Sequence, residues 1–238
     1  MNSADVIAFA AHPDDAEIGC GGTLIKLTDA GYKVVIVDLV RGELGTRGSA
    51  ETRAQEAQAS SEILGLYGRE NLGLTDGDIH VSAEGKRRVV EAIRRWRPRA
   101  VFLPYWKDRH PDHANASHLV YEGAFTAGLA RYETEHPAFR PSKIFYYMGW
   151  YAFDPTFIVD VSEQAERKME AIYAFATQFR ADAQMGPQTR LTSPTTDWLL
   201  RSRMAYLGAQ IQSTYGEGFL ARGMLEVNDP LKLGLESF

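Results

Sequence analysis

The sequence predicts an α/β fold with a Rossmann-like, mostly parallel sheet, flanked by helices and carrying its active site at the carboxyl ends of the strands. Short apolar runs at 6–10, 33–40 and 100–105 are typical of strands that helices cover on both faces. Segments with helical periodicity separate these runs, and such strand-helix-strand units are parallel and right-handed. Two of the runs lead into His- and Asp-rich segments, at the edge where open α/β sheets place their sites.

The amino-terminal half alternates strands and helices, each with a local signal. A helical pattern follows the first strand and ends at Gly31, because glycine is favoured just beyond helix C-termini. The run 33–40 is rich in β-branched residues, which favour strands. Ser49 is a suitable N-cap for a helix that ends at Gly65. The segment 71–78 has the composition of a loop that carries a short piece of structure.

The remaining elements follow from the same signals. An amphipathic helix over 83–96 stops before Pro98, and Pro111 suits the first position of the helix after strand 100–105. Further strands are predicted at 144–148, 157–161 and 223–227, and further helices at 162–179, capped by Ser162, and at 197–212. The segment 180–196 is predicted to be a lid or a subunit contact. No linker or repeat divides the sequence, so residues 1–238 are predicted to form a single domain.

The composition limits the classes of protein to which this chain can belong. Its 238 residues are 45% hydrophobic and 24% charged, which is typical of a globular domain. The formal net charge is -5, so neither nucleic acid nor an anionic membrane is an expected partner. The amino terminus lacks the pattern of a signal peptide, which predicts a cytoplasmic protein. A homo-oligomer is expected, with the aromatic-rich segment 146–153 and the loop after Phe179 as candidate interfaces.

Two segments rich in His and Asp indicate a metal site. The first, at 10–22, is AAHPDDAEIGCGG, and the second, at 110–113, is HPDH. One such segment alone could be a turn in which Asp caps a helix, but two at two strand ends can converge on one ion. His12, Asp15 and His113 supply the three ligands that a catalytic zinc site needs, with water in the fourth place. Iron, cobalt or manganese could occupy the same site.

This ligand set leaves other polar residues of the two segments for catalysis. Asp14 adjoins a ligand without being one and is predicted to be the general base. His110 is predicted to stabilise an oxyanion, with Asp112 holding its ring and its charge state.

The glycine-containing loop at 41–48 could be a simple connection or a substrate-binding element. Its glycines allow close approach of the backbone to a ligand. Glu43, Arg47 and the nearby Arg53 place charges beside the predicted site. We therefore predict that these three residues bind the substrate.

The segments AHPDDAEIGCGGTL and HPDHANAS resemble the PIG-L/LmbE family of zinc-dependent N-deacetylases, which act on substrates that contain N-acetylglucosamine. The resemblance extends to the loop at 41–48 and to Arg53. It implies hydrolysis of an acetamide with one zinc ion per chain, and it implies that Arg53 and Glu43 hold the hydroxyl groups of the sugar. Within the family, the chain is most similar to the deacetylases of bacillithiol biosynthesis.

That similarity implies N-acetylglucosaminyl malate as the substrate, a small molecule with two carboxylates. Arginine binds carboxylates bidentately, and the candidate cations are Arg41, Arg47, Arg53, Lys107 and Arg109. Several of them could instead be solvated or paired with neighbouring acids. A general deacetylase of N-acetylglucosamine or chitooligosaccharides is the alternative. The rivals from other classes are a metal-dependent phosphoesterase, for which the carboxylates are few, and a non-catalytic sugar-binding module.

Overall fold

The computed structural model describes residues 3–182 and 186–234. The strands are β1 (Val6–Ala10), β2 (Val34–Val40), β3 (Gly68–Leu74), β4 (Ala100–Pro104), β5 (Lys143–Tyr147), β6 (Phe157–Asp160) and β7 (Gly216–Leu220). The helices are α1 (Asp15–Asp29), α2 (Ala50–Leu64), α3 (Ala83–Trp96), α4 (Pro111–Ala127), α5 (Ala165–Tyr173), α6 (Ala176–Phe179) and α7 (Thr195–Ala209). Within the described ranges, no helix combines the length and the apolar character that a membrane span needs.

The strands of the described chain form one sheet in the order β3-β2-β1-β4-β5-β7-β6. Neighbours from β3 to β5 pair in parallel, whereas β7 pairs antiparallel with β5 and with β6. The predicted α/β class with a mostly parallel sheet is confirmed. Strand order reverses between β1 and β4, and such a reversal opens a crevice outside the carboxyl ends of the two strands. Both His/Asp segments start at this crevice.

Helices cover both faces of the sheet, which explains why β1, β2 and β4 are buried along their whole length. Alternate residues of β1 belong to different core clusters. Phe9 packs in one cluster with Val89 of α3 and Leu119 of α4. Ala8 packs in the other with Leu24 of α1. The apolar runs therefore anchor the strands whose ends carry the site.

Several helix ends lie where the local signals predicted them. Ser49 Oγ accepts a hydrogen bond from the amide of Thr52 at 3.2 Å and caps α2. Gly65 ends the same helix with a φ of 70°, a left-handed conformation that glycine adopts readily. Ser82 caps α3, and Pro111 is the first residue of α4.

Two predicted elements are wrong, and one strand was not predicted. The short piece of structure expected in 71–78 is the second half of β3, an edge strand without the apolar run that marks the buried strands. The segment 223–227 is irregular, and the last strand is the glycine-containing β7. The helix predicted over 162–179 is divided into α5 and α6. Ser162 does not cap it, because its hydroxyl donates to the carboxylate of Asp160 at 2.6 Å.

Candidate active site

The crevice between β1 and β4 brings the two His/Asp segments together. His12 and Asp15 follow β1, and His113 lies in the first turn of α4. The Asp15 carboxylate lies between two imidazoles, with Oδ2 3.3 Å from His12 Nδ1 and Oδ1 3.1 Å from His113 Nε2. Ligand atoms of the three residues lie within 4.8 Å of one another. Because His and Asp are zinc ligands, these residues could hold one zinc-like ion.

The far nitrogen of each imidazole faces a carboxylate. Asp108 Oδ1 lies 3.1 Å from His113 Nδ1. Asp76 Oδ1 and Asp112 Oδ2 lie 3.2 Å and 3.3 Å from His12 Nε2. Carboxylates in this position orient metal-bound imidazoles and increase their basicity. Asp76 and Asp108 are not predicted in this role from the sequence, although Asp108 lies only two residues before the second segment.

The same carboxylates determine the charge of the imidazoles. Burial lowers the pKa of His113, but nearby carboxylates, Asp15 foremost, raise it to about 9. Burial also lowers the pKa of His12, and hydrogen bonds to Asp112 and Asp15 raise it well above its usual value. Metal ligation requires neutral imidazoles, so a divalent cation would bind here in exchange for protons.

A second group of residues, His12, His110 and Asp112, also has ligand atoms within 4.8 Å of one another. Two of its side chains also accept hydrogen bonds from the backbone. His110 Nδ1 accepts from the amide of Asp112 at 3.2 Å, and Asp112 Oδ2 accepts from the amide of Gly77 at 2.9 Å. Asp15 Oδ2 likewise accepts from the amide of His12 at 2.8 Å, so these bonds do not separate the two groups. In the group that contains Asp15, the carboxylate lies between two imidazoles, at 3.3 Å and 3.1 Å.

Asp14 adopts a strained conformation beside this group. Its φ of 127° is rare for an L-residue and costs about 1–3 kcal/mol. The residue is 5% exposed, and its Oδ2 lies 3.3 Å from Nη2 of Arg53, which also donates to the Pro13 carbonyl. Burial raises the pKa of Asp14 to about 7, although the positive charge of Arg53 opposes this shift. A carboxyl group that titrates near neutral pH can both accept and return a proton.

Comparisons with known proteins identify the family of this chain. The model of the PIG-L family, described as GlcNAc-PI de-N-acetylase, matches residues 7–124. A diacetylchitobiose deacetylase of Thermococcus kodakarensis is 32% identical over 227 residues, which cover 90% of this chain and 81% of that protein. The chain belongs to the PIG-L family of deacetylases.

Two further comparisons place this PIG-L chain among its relatives. The crystal structure of the conserved protein TT1542 from Thermus thermophilus matches with a TM-score of 0.86 and 36% identity, over 94% of this chain and 98% of that one. A probable N-acetyl-α-D-glucosaminyl L-malate deacetylase of Bacillus anthracis is 27% identical over 192 residues, covering 75% of this chain and 83% of that protein. The Thermococcus and Bacillus relatives are thus named for two different acetylated substrates.

The sequence predicts that Asp112 holds the ring of His110. In this PIG-L chain it does not do so through its carboxylate. The carboxylate faces His12 and the amide of Gly77. Asp112 contacts His110 through its backbone amide, which donates to Nδ1. That bond places the proton of the neutral ring on Nε2. Burial, followed by the positive charges of neighbouring imidazoles, lowers the pKa of His110 and favours this neutral form.

A cavity of about 310 Å³ lies at the site, and the three predicted substrate-binding residues differ in whether they line it. Arg53 lines the cavity, whereas Glu43 and Arg47 are not among its described lining residues. Glu43 is exposed, and its Oε1 accepts from the amide of Asp76 at 3.2 Å. Arg47 is buried and donates to two carbonyls of the segment 180–182 at 2.8 Å and 2.6 Å. Both residues thus bond to segments beside the cavity, and their predicted contact with a substrate stays a prediction.

Arg109 and Trp150 lie at the cavity as well, with the Arg109 guanidinium 4.5 Å from the indole centroid. Arg109 has no carboxylate partner within the described ranges. Leu191 lines the cavity too, so the segment 180–196 contributes to its wall. Residues 183–185 of that segment lie outside the described residues. The described lining thus adds the Arg109 guanidinium and apolar surface to the carboxylates and imidazoles of the site.

Proposed function

We propose that this PIG-L chain hydrolyses the acetamide of an N-acetylglucosamine residue in a small saccharide such as diacetylchitobiose, releasing acetate and the free amino sugar. The observation that carries the proposal is the buried Asp14 carboxyl group, which lies beside three metal-ligating side chains in one cavity. Membership of a deacetylase family and the 32% identity to a diacetylchitobiose deacetylase support it. This substrate corresponds to the alternative in the sequence analysis.

His12, Asp15 and His113 would hold the metal ion of this reaction. A zinc-like ion bound there supplies Lewis acidity, which polarises a carbonyl group and lowers the pKa of water. The donor set suits zinc, and its imidazoles already have the carboxylate partners that metal-binding histidines require.

Asp14 is proposed to accept the proton of the attacking water and to pass a proton to the departing amine. Its pKa of about 7 suits both transfers near neutral pH. Arg53 holds the carboxylate in place from 3.3 Å. His110 is proposed to donate a hydrogen bond from Nε2 to the oxyanion that forms on the acetamide.

The direct test is the release of acetate from diacetylchitobiose by protein that has been stripped of metal and then restored with zinc. We expect one ion per chain by elemental analysis, and turnover only in the restored protein. A two-metal phosphoesterase would instead bind two ions and hydrolyse a phosphate ester. A sugar-binding module would show no turnover in either state.

His110→Ala should lower kcat by roughly 10²–10³ without changing the metal content, because the oxyanion loses one hydrogen-bond donor. Turnover of diacetylchitobiose and elemental analysis measure the two quantities. His80→Ala is the matched control, since His80 is exposed and outside the cavity lining. Loss of the metal in His110→Ala would instead make His110 a ligand.

N-acetylglucosaminyl malate is a second candidate substrate, which the unpaired guanidinium of Arg109 at the cavity favours. Arg47, one of the cations that the sequence predicts to meet malate, is already bonded to backbone carbonyls. Among the candidate cations that line the cavity, Arg53 is paired with Asp14, so Arg109 is the one whose removal tests for an anionic substrate.

Arg109→Ala should reduce kcat/KM for N-acetylglucosaminyl malate by roughly 10-fold or more if malate is the natural partner, because hydrogen bonds to charged groups contribute about 1.5–3 kcal/mol each. The same variant should change kcat/KM for diacetylchitobiose much less. The exposed Arg131 provides a control of equal charge in Arg131→Ala. An equal loss on both substrates would remove the support that Arg109 gives to malate.

A further inference from the structure

Helix α1 contacts a buried ion pair that the proposed reaction does not use. Lys168 of α5 and Glu217 of β7 are 3% and 2% exposed, and Lys168 Nζ lies 2.6 Å from Glu217 Oε1. Burying two charges requires further hydrogen bonds in addition to their mutual attraction. Both side chains find these bonds on the backbone of α1.

The pair bonds to the backbone inside the helix. Glu217 accepts from the amides of Gly22 and Thr23 at 2.9 Å and 2.7 Å, and Lys168 Nζ donates to the carbonyl of Ile18 at 2.9 Å. In a regular α-helix the Gly22 amide donates to the Ile18 carbonyl. The ion pair thus engages both groups of one helical hydrogen bond. Glycine at position 22 leaves room for this contact, because a Cβ there would lie 2.8 Å from Cβ of Val161 and 3.1 Å from Glu217 Oε1.

Ile18 connects the ion pair to the active site. Its amide donates to the carbonyl of Asp14 at 3.0 Å, while its carbonyl accepts from Lys168. The turn between these two bonds contains Asp15 and follows the strained φ of Asp14. Such strain persists only where the surroundings hold it. Arg53 holds the start of this turn through Asp14, and the ion pair holds its end through Ile18.

We propose that Lys168 and Glu217 are positioning residues for the turn that carries Asp14 and Asp15. They keep the Asp15 carboxylate between the two imidazoles by bonding the far end of the turn to α5 and β7. This inference rests on the proposed function, since Asp15 acts as a ligand in that function. Removing the pair should weaken metal binding by roughly 10-fold, the lower end of the range for outer partners of metal ligands.

The test compares the double variant K168M/E217Q with the wild type and with Arg94→Met. Arg94 is equally buried, at 3% exposure, and it donates to the carbonyls of Ala127, the last residue of α4, and of Leu129. Both variants remove buried hydrogen bonds, but only the double variant alters α1. The measurements on metal-stripped full-length protein are the Tm and the zinc Kd, the latter from competition with a chromogenic chelator. The single variant Glu217→Gln, which preserves side-chain shape, is measured in parallel in case the double variant does not fold.

We expect the Tm to fall in both Arg94→Met and K168M/E217Q, whereas the zinc Kd should rise only when the ion pair is altered. The visible spectrum of the cobalt-substituted double variant should also change, because the ligand geometry changes. An unaltered zinc Kd in K168M/E217Q and in Glu217→Gln would overturn the inference and leave the pair a purely structural one. Failure of the wild type itself to bind zinc would overturn the proposed function first, so the two failures are distinguishable.

Discussion

Asp14→Asn should lower kcat for deacetylation by roughly 10²–10⁴ while the metal content stays at the wild-type level. The amide of asparagine cannot accept the proton of water, whereas the Asp14 carboxyl group, with its pKa of about 7, can do so near neutral pH. Acetate release and elemental analysis of the same preparation measure the two quantities. The expected pattern is a loss in catalysis without a loss in binding of the ion.

The matched control is Asp78→Asn, because the Asp78 side chain is 73% exposed and lies outside the cavity lining. Asp78→Asn also replaces a carboxylate by an amide, and this variant should retain full activity. If Asp14→Asn lost its metal, Asp14 and Asp15 would have to exchange roles. If it kept both metal and kcat, another group would have to be the base.

His113→Ala should abolish activity and reduce metal affinity by more than the roughly 10- to 100-fold loss typical for outer partners of ligands. The substitution removes an imidazole whose Nε2 lies 3.1 Å from Asp15. The fold should survive, because the sheet and its two apolar clusters do not depend on the ion. Elemental analysis measures the metal, and circular dichroism measures the fold.

His118→Ala is the control on the same helix, since His118 is exposed on α4. Full metal occupancy in His113→Ala would show that the ion binds the second group, which contains His12, His110 and Asp112. In that case His110→Ala would lose the metal. The two histidine variants together therefore identify the ligand set.

Sequence patterns predicted the fold class because each signal for it is local. The apolar runs of β1, β2 and β4 mark strands that are covered on both faces. Caps such as Ser49 and Gly65 mark helix ends through bonds to residues a few positions away. The edge strand β3 and the glycine-containing β7 escaped prediction, because an edge position and pairing with β5 are not visible in a short window.

Local patterns thus identified the strands and helices of the buried core and the His and Asp residues that could bind a metal. The tertiary structure decided which side chains surround that group. Asp76 and Asp108 face its imidazoles, Arg47 bonds to the segment 180–182, and Glu217 reaches the amides of α1. Asp76, Arg47 and Glu217 meet partners 64 to 195 positions away along the chain. Such contacts depend on strand order and helix packing, which the spacing of residues within a short segment of sequence does not predict.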